Sequence, residues 1–364
     1  MTVRRLAILS VALLAGLLLA SCGQMGYLAQ SVSGHMRMMS AAEPVDALLA
    51  RPDLDPKLRE RLQLSQRLRD YAIAELHLPD NNSYRRYADL HRGAAVWNVI
   101  AAPELSLKAR TWCYPIMGCV AYRGYFDQAA AEAYARGLRE DEHLEVMVGP
   151  VPAYSTLGWS TWLGGDPLLN TFIGYPEGEL ARMMFHELAH QVAYADDDTT
   201  FNESFATAVE RIGAARWLQS HGSEAARETY ERGNQRRLQF RALTDAYRAK
   251  LAAVYDSTQG DDAKRAAKAS TMQALREDYA KLKTEEWSGY SGYDDWFARA
   301  NNASFALLSA YGELVPAFET LFEREGQDWP RFYAEVKRLA KLPKSERRRQ
   351  LGSASERVSA SERE

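Results

Sequence analysis

The amino-acid sequence predicts an α+β fold that is mostly helical, with a β-rich N-terminal part and a helical C-terminal part. From Glu179 onward, apolar residues recur at spacings of three and four, which is the period of an amphipathic helix. Between residues 80 and 160, short β-branched and aromatic runs alternate with turn-forming residues, which is typical of strands. The length of 364 residues suits one large domain or two ordinary ones. We predict one domain over residues 45–341.

The first half of this domain combines helices with short strands. A charged amphipathic helix is predicted over residues 56–78, because Leu58, Leu62 and Tyr71 recur at near-helical spacing before Pro79. In the β-rich part, residues 80–160, local composition predicts strands at 96–100, 120–122 and 144–148 and an alanine-rich helix at 128–139.

The second half is predicted to be helical. Residues 178–219 contain two helical runs separated by an acidic segment. In the remaining helical part, residues 224–341, apolar stripes at 243–254 and 272–282 flank a turn and predict an antiparallel helix pair.

The N-terminus has the pattern of an exported protein. Two arginines precede an apolar run over residues 6–20, which is too short for a comfortable membrane span but suits a signal peptide. The run ends in Leu-Ala-Ser before Cys22, which resembles the bacterial lipobox. This resemblance implies a lipoprotein signal peptide over residues 1–22 and acylation of Cys22. The alternative is an ordinary signal peptide with an incidental cysteine.

The segments outside the domain predict its location. Gly23 follows Cys22 in place of the aspartate that retains such proteins at the inner membrane. The lipobox resemblance therefore implies a cell-envelope protein, anchored by lipid at the outer membrane and facing the periplasm. Residues 23–44 show no sustained period and predict a flexible tether. The tail, residues 342–364, is poor in apolar residues and predicts disorder, with Arg347-Arg348-Arg349 as a solvated basic run.

Charge and cysteine content narrow the classes further. The net charge of −3 excludes the basic field that nucleic-acid binding needs, and the sequence indicates no particular protein partner. Cys113 and Cys119 lie six residues apart around a Pro/Gly turn, which in an oxidising compartment predicts a short-loop disulfide. Two reduced cysteines in a pair of strands are the alternative.

A segment with metal-site spacing lies in the first helical run of residues 178–219. In His186-Glu187-Leu188-Ala189-His190, the two histidines are four residues apart, so on a helix their imidazoles share one face and can bind one metal ion. Glu187 lies about 100° round the helix from His186 and is better placed to take a proton from water than to act as a ligand. Zinc lowers the pKa of water toward about 7, which makes a carboxylate an adequate base.

A third ligand is needed to complete this site. Glu203, in the second helical run, is the favoured candidate. Asp196 is the alternative, but the ligand spacing that would use Asp196 needs a turn-forming glycine at the position of Ala193. Asp196, Asp197 and Asp198 then form a polar loop that could accept a hydrogen bond from a histidine, and Glu210 is predicted to be a surface or supporting acid.

The metal-site segment resembles the zinc helix of gluzincin aminopeptidases. More broadly, residues 80–325 resemble a family of bacterial lipoproteins described as aminopeptidases, through the metal-site segment, the Asn202-Glu203 helix and the segments at 122–126, 153–159 and 301–303. The resemblance implies a gluzincin-like fold, with Zn²⁺ bound by His186, His190 and Glu203 and with Glu187 as general base. Two departures are visible: the His190–Glu203 spacing is shorter than in well-studied gluzincin aminopeptidases, and the Gly-x-Met-Glu-Asn segment that grips a substrate amine is absent.

Hydrolysis also needs a group that stabilises the oxyanion. Tyr293, flanked by glycines, is the predicted catalytic residue for this role; Tyr311 is a second candidate, and a packing role is the alternative for both.

The function predicted from these residues is zinc-dependent hydrolysis of peptide substrates. The resemblance adds that the enzyme acts as an aminopeptidase. Two alternatives stay open: an envelope lipoprotein with an assembly or binding role and a vestigial metal site, and a zinc hydrolase acting on cell-wall material.

Overall fold

A computed structural model of the chain describes residues 26–114, 118–153, 165–308 and 314–361. The predicted signal peptide, Cys22 and Tyr311 lie outside these residues. The described part is mostly helical with small sheets, so the prediction of a mostly helical α+β fold is confirmed.

The helices occupy most of the described chain. They are α1 (26–41), α2 (Val45–Leu49), α3 (Pro56–Ala74), α4 (Gln128–Glu140), α5 (Glu177–His190), α6 (Thr199–His221), α7 (Glu224–Asp256), α8 (Asp261–Glu285), α9 (Asp294–Arg299), α10 (Asn302–Leu308), α11 (Val315–Arg324), α12 (Trp329–Ala340) and α13 (Lys344–Ser361).

The strands are short and form small sheets. They are β1 (Glu43–Pro44), β2 (Arg86–Ala88), β3 (Val96–Ala102), β4 (Trp112–Tyr114), β5 (Gly118–Val120), β6 (Arg123–Tyr125), β7 (Glu145–Val151) and β8 (Leu168–Leu169). Strand β3 is the centre of an antiparallel sheet with β6 and β7, where Val99 lies opposite Arg123 and Val148. Strand β2 pairs antiparallel with β1 and parallel with β8. The prediction of a strand at 120–122 is wrong except for Val120, because residues 121–122 form the bend that connects β5 to β6.

The main core surrounds α5 and α6. Helix α5 buries Leu180, Met184, Phe185 and Leu188, which recur at helical spacing and face the apolar side of α6. Helices α11 and α12 cover the other side of α6, where the Phe318 ring contacts those of Phe201 and Phe205. The two helices that carry the metal-site residues are therefore held inside the largest core of the described residues.

The predicted helix pair is confirmed as α7 and α8. Its apolar stripes, with Tyr247, Leu251, Leu275 and Tyr279, form a second core together with α9 and α10. Tyr293 belongs to this core, where its ring stacks on Phe240 with centroids 4.6 Å apart.

The tether prediction for residues 23–44 differs from the structure. Residues 26–41 form helix α1, and Met38, Met39 and Ala42 are buried in the main core. Gly34 allows α1 to approach the rest of the domain, because a Cβ atom there would lie 2.2 Å from the Phe126 ring. Burial of these few apolar side chains orders a segment whose sequence has no strong period.

The prediction of a disordered tail also differs from the structure. Helix α13 begins at Lys344, and Arg347 and Leu351 are almost completely buried. The basic run is therefore not wholly solvated, since Arg347 bonds within the domain.

Strands β4 and β5 form a hairpin that is closed by a disulfide between Cys113 and Cys119. Residues 115–117 of its turn lie outside the described part. Within the described residues, no helix combines the length and apolar character needed to cross a bilayer.

Candidate metal centre

Helix α5 places both histidines at its C-terminal end. Pro176 precedes the helix, and Glu177 and Glu179 in its first turn favour the positive end of the helix dipole. His186 and His190 are one turn apart, and His190 is the last helical residue. Both imidazoles therefore point toward the start of α6.

Helix α6 brings Glu203 to the two histidines. The Nε2 atoms of His186 and His190 are 3.1 Å apart, and Oε2 of Glu203 lies 3.3 Å and 3.7 Å from them, respectively. Among the histidine, cysteine and acidic side chains of the described residues, these three form the group that could together hold a metal ion. The structure thus brings together the three predicted ligands.

The separations of the donor atoms fit a small tetrahedral ion. Ligand bonds of about 2.0–2.1 Å in a tetrahedron give donor separations of about 3.3–3.4 Å. The three observed separations, 3.1, 3.3 and 3.7 Å, scatter around that value. Three protein donors would leave one position of such an ion for water or substrate.

The tautomer of His186 is set by Glu210. Nδ1 of His186 lies 2.9 Å from Oε2 of Glu210, so this nitrogen donates a proton and Nε2 presents its lone pair. Arg182 bonds to the other oxygen of Glu210, through Nε at 3.0 Å and through Nη2. Glu210, predicted to be a surface or supporting acid, is buried. Glu210, and not an aspartate of the loop Asp196–Asp198, is therefore the carboxylate that accepts a hydrogen bond from His186.

We expect the Glu210→Gln substitution to weaken zinc binding by about 10- to 100-fold, because outer-shell partners of histidine ligands have effects of this size. Titration against a competing chelator measures the affinity. The matched control is Glu319→Gln, since Glu319 pairs with Arg211 away from the histidines. Equal affinities of the Glu210 variant and the wild type would show that the imidazole needs no such support.

The pKa values of the carboxylates beside the histidines are shifted in opposite directions. Burial opposes ionisation of Glu210, but Arg182 and His186 lower its pKa to about 2. Glu203 is affected in the same way: burial opposes its charge, but bonds to His186 and His190 hold its pKa well below the usual range. Glu187 differs, because burial raises its pKa and no arginine bonds to it among the contacts seen here.

The short connection between α5 and α6 allows Glu203 to meet the two histidines although Glu203 follows His190 closely in the sequence. Gln191 to Asp198 link the two helices, and the side chain of Asn202 brackets this loop by bonding to both the N–H and the carbonyl of Ala195 at 2.8 Å. Asp198 ends the loop as the N-cap of α6, accepting from the Phe201 N–H. Asp196, the alternative ligand, is not part of the donor cluster.

A polar network borders the Glu187 side of the helix. Gln191, one turn after Glu187, accepts from Asn81 at 2.6 Å and donates to Ser83 at 3.2 Å, and the Ser83 hydroxyl also accepts from the Asp166 N–H. Gly165 has φ +70°, and a Cβ atom there would lie 2.4 Å from the Ser83 backbone, so glycine is required for this approach.

The structure places Tyr293 and Tyr122 differently with respect to the donor cluster. The observed contacts of Tyr293 are with the aromatic side chains Phe240, Trp287 and Tyr290, and none is with the three ligands. Tyr122 packs against the small core around Ile100. Burial raises its pKa, and the charges of Glu203 and Glu187 raise it further, as expected for a phenol near the site. Only its place in the Tyr-Arg-Gly-Tyr-Phe segment could have indicated this from the sequence.

Comparison with known proteins now adds to this geometry. The family described as "Putative aminopeptidase" matches residues 26–351, which is most of the chain. The chain belongs to this family. No curated protein and no solved structure is significantly similar to it. Membership in the aminopeptidase family supports peptide hydrolysis as the class of reaction and peptides as the class of substrate.

Proposed function

We propose that this member of the aminopeptidase family is a zinc-dependent peptidase of the gluzincin type. Its ligands are His186, His190 and Glu203, and Glu187 is the general base. The observation that carries the proposal is the donor cluster, in which two imidazole nitrogens and one carboxylate oxygen have separations close to those of a tetrahedral site.

The donor chemistry supports zinc over the hard cations. Two imidazoles and one carboxylate suit zinc, whereas calcium and magnesium prefer oxygen ligands alone. The bond from His186 Nδ1 to Glu210 leaves the other ring nitrogen free to coordinate. Neither cysteine of the β4–β5 hairpin is available as a ligand, because both are in the disulfide.

Zinc at these residues supplies a Lewis acid that acidifies water and polarises the scissile carbonyl. Glu187 accepts the proton of the attacking water through its carboxylate and passes it to the leaving amine, as a general acid–base group does. Glu210 and Arg182 keep His186 in one orientation throughout, so the geometry needs no rearrangement during the reaction.

Incubation of the purified, zinc-loaded protein with a mixed peptide library tests this function. Mass spectrometry of the products shows whether bonds are cleaved and from which end. Removal of one residue at a time from free amino termini supports an aminopeptidase, whereas internal cleavage supports a peptidase of another kind. Intact peptides, with cleavage of cell-wall fragments in a parallel incubation, would contradict the proposal.

We assign the oxyanion-stabilising role to Tyr122. The Tyr122→Phe variant should lower kcat by about 10²- to 10³-fold, because one donor to an oxyanion contributes that much. Zinc affinity should stay unchanged, since the proposed ligands are His186, His190 and Glu203. The matched control is Tyr293→Phe, in the aromatic core of α7–α9. If Tyr293→Phe lowers kcat and Tyr122→Phe does not, the assignment is reversed.

We propose further that acyl chains on Cys22 anchor the protein at the outer membrane, facing the periplasm. The lipobox-like sequence before Cys22 supports this, and a disulfide between Cys113 and Cys119 suits an oxidising compartment. Mass spectrometry of the N-terminal peptide tests it, since an unmodified Cys22 would contradict it.

A further inference from the structure

The start of α6 is held by the C-terminal helix α13. The Asp198 side chain is completely buried and accepts two hydrogen bonds from Arg348, Nη2 to Oδ1 at 2.6 Å and Nε to Oδ2 at 2.9 Å. Arg347 adds a bond from Nη1 to Oδ2 at 3.2 Å. Burial opposes ionisation of Asp198, but Arg348, the Phe201 N–H and Lys344 outweigh it and lower its pKa. The N-cap residue of α6 is therefore tied to a segment about 150 residues later in the chain.

Arg347 in turn fixes α13 to the domain. Its guanidinium donates to the carbonyls of Leu339, Ala340 and Leu342 at the end of α12. It also lies over the Phe201 ring at 5.2 Å, in the first turn of α6. Leu351, one turn after Arg347, is buried in the main core. Buried hydrogen bonds and apolar packing thus attach α13 to the rest of the domain.

The position of the α6 N-terminus determines where the third ligand lies. Glu203 follows the N-cap Asp198 by five residues, and its carboxylate has to meet two histidines that α5 holds in the core. A short loop leaves α6 little freedom to shift, and Asn202 closes the loop at Ala195. A displacement of the first turn of α6 would move Oε2 of Glu203 away from the histidine nitrogens.

We propose that α13 is a strap that positions Glu203, so that Arg347 and Arg348 set the metal affinity of the site. This inference rests on the proposed metal site and deepens it. Arg347 and Arg348 are positioning residues, because they contact Asp198 and none of the three ligands. The physical basis is that a buried carboxylate is disfavoured when it loses one of its positively charged partners, so without Arg348 the Asp198 side chain would move toward water and displace the N-terminus of α6.

The test is the zinc affinity of the Arg348→Gln variant of the full chain, measured against a competing chelator. We expect affinity to fall by at least about tenfold, as for other outer-shell changes around metal ligands. Arg349→Gln is the matched control, because Arg349 is the next residue and pairs only with the partly exposed Glu346 among its observed contacts. Its affinity should stay within about twofold of the wild type.

A second control separates positioning from general loss of stability. Leu275→Ala removes a buried side chain in the α7–α8 core, far along the chain from α6, and should lower Tm without changing zinc affinity. Retained wild-type affinity in Arg348→Gln overturns the strap, as does an equal affinity loss in Leu275→Ala. Arg348→Lys, which keeps the charge but loses the paired hydrogen bonds to Asp198, is the milder second variant if Arg348→Gln does not fold, and the same loss of zinc affinity in smaller measure is expected.

Hydrogen exchange of the metal-free protein keeps the strap distinct from the proposed function. Amides of residues 195–206 should exchange faster in Arg348→Gln than in Arg349→Gln, and unchanged exchange overturns the strap even if the wild type binds no metal. Wild-type protein that binds zinc but cleaves no peptide contradicts the proposed function and leaves the measured effect of Arg348 intact.

Discussion

The Glu187→Gln variant should lose peptide hydrolysis by about 10²- to 10⁴-fold while binding zinc as tightly as the wild type. Glutamine keeps the size of the side chain but cannot accept a proton from water, and a general base contributes an effect of this magnitude. Zinc binding is unaffected because Glu187 is not one of the three donors. Steady-state kinetics on a peptide substrate, together with metal analysis of the same preparation, measures both quantities.

Glu179→Gln, two turns earlier on α5, is the control for this change. Glu179 pairs with Arg237 and contacts neither histidine, so its variant should retain activity. Activity of Glu187→Gln close to that of the wild type would exclude Glu187 as the base.

The second large effect is expected from His186→Ala, which should abolish zinc binding. With one of three protein ligands gone, the loss should exceed the about 10- to 100-fold that follows removal of an outer-shell partner. A ligand that binds the folded state raises its stability by mass action, so the increase in Tm that zinc causes in the wild type should disappear. Metal analysis and thermal unfolding with and without zinc measure the two effects.

His221→Ala is the control of the same residue type. His221 ends α6 and stacks on Trp217 at 4.3 Å, remote from the donor cluster. Zinc-dependent stabilisation that persists in His186→Ala, or is lost equally in His221→Ala, would place the metal elsewhere.

Much of the fold could be predicted from local patterns. The stripes of α7 and α8 repeat at helical period over many residues, so the antiparallel pair was predictable from periodicity alone. Helix α3 shows the limit of that signal: it ends at Ala74, before the predicted 78, because Leu76 and Leu78 turn into the core. Helix α1 has no sustained apolar period and α13 has few apolar residues, and tertiary contacts order both.

Some residues of the candidate site could likewise be predicted from local spacing, whereas others depend on tertiary packing. His186 and His190 were predictable, because helical spacing alone places residues four apart on one face. Glu210 and Arg182 were not predicted as partners, since their meeting depends on how α5 packs against α6. Arg347 had no local signal at all, because a basic run in a polar tail is typical of solvent exposure, and its burial depends on a contact with Asp198.

The Arg182–Glu210 pair also sets the charge balance of the site. Because Arg182 cancels the charge of Glu210, the acids left uncompensated beside the histidines on these helices are Glu187 and Glu203. Two negative charges in a region of low dielectric repel each other, and a divalent cation neutralises both. Without it, Glu203, Glu210 and Glu187 raise the pKa of His186 despite its burial, so a proton competes with the metal for this ring. Metal loading should then release protons, and mild acid should favour the empty site.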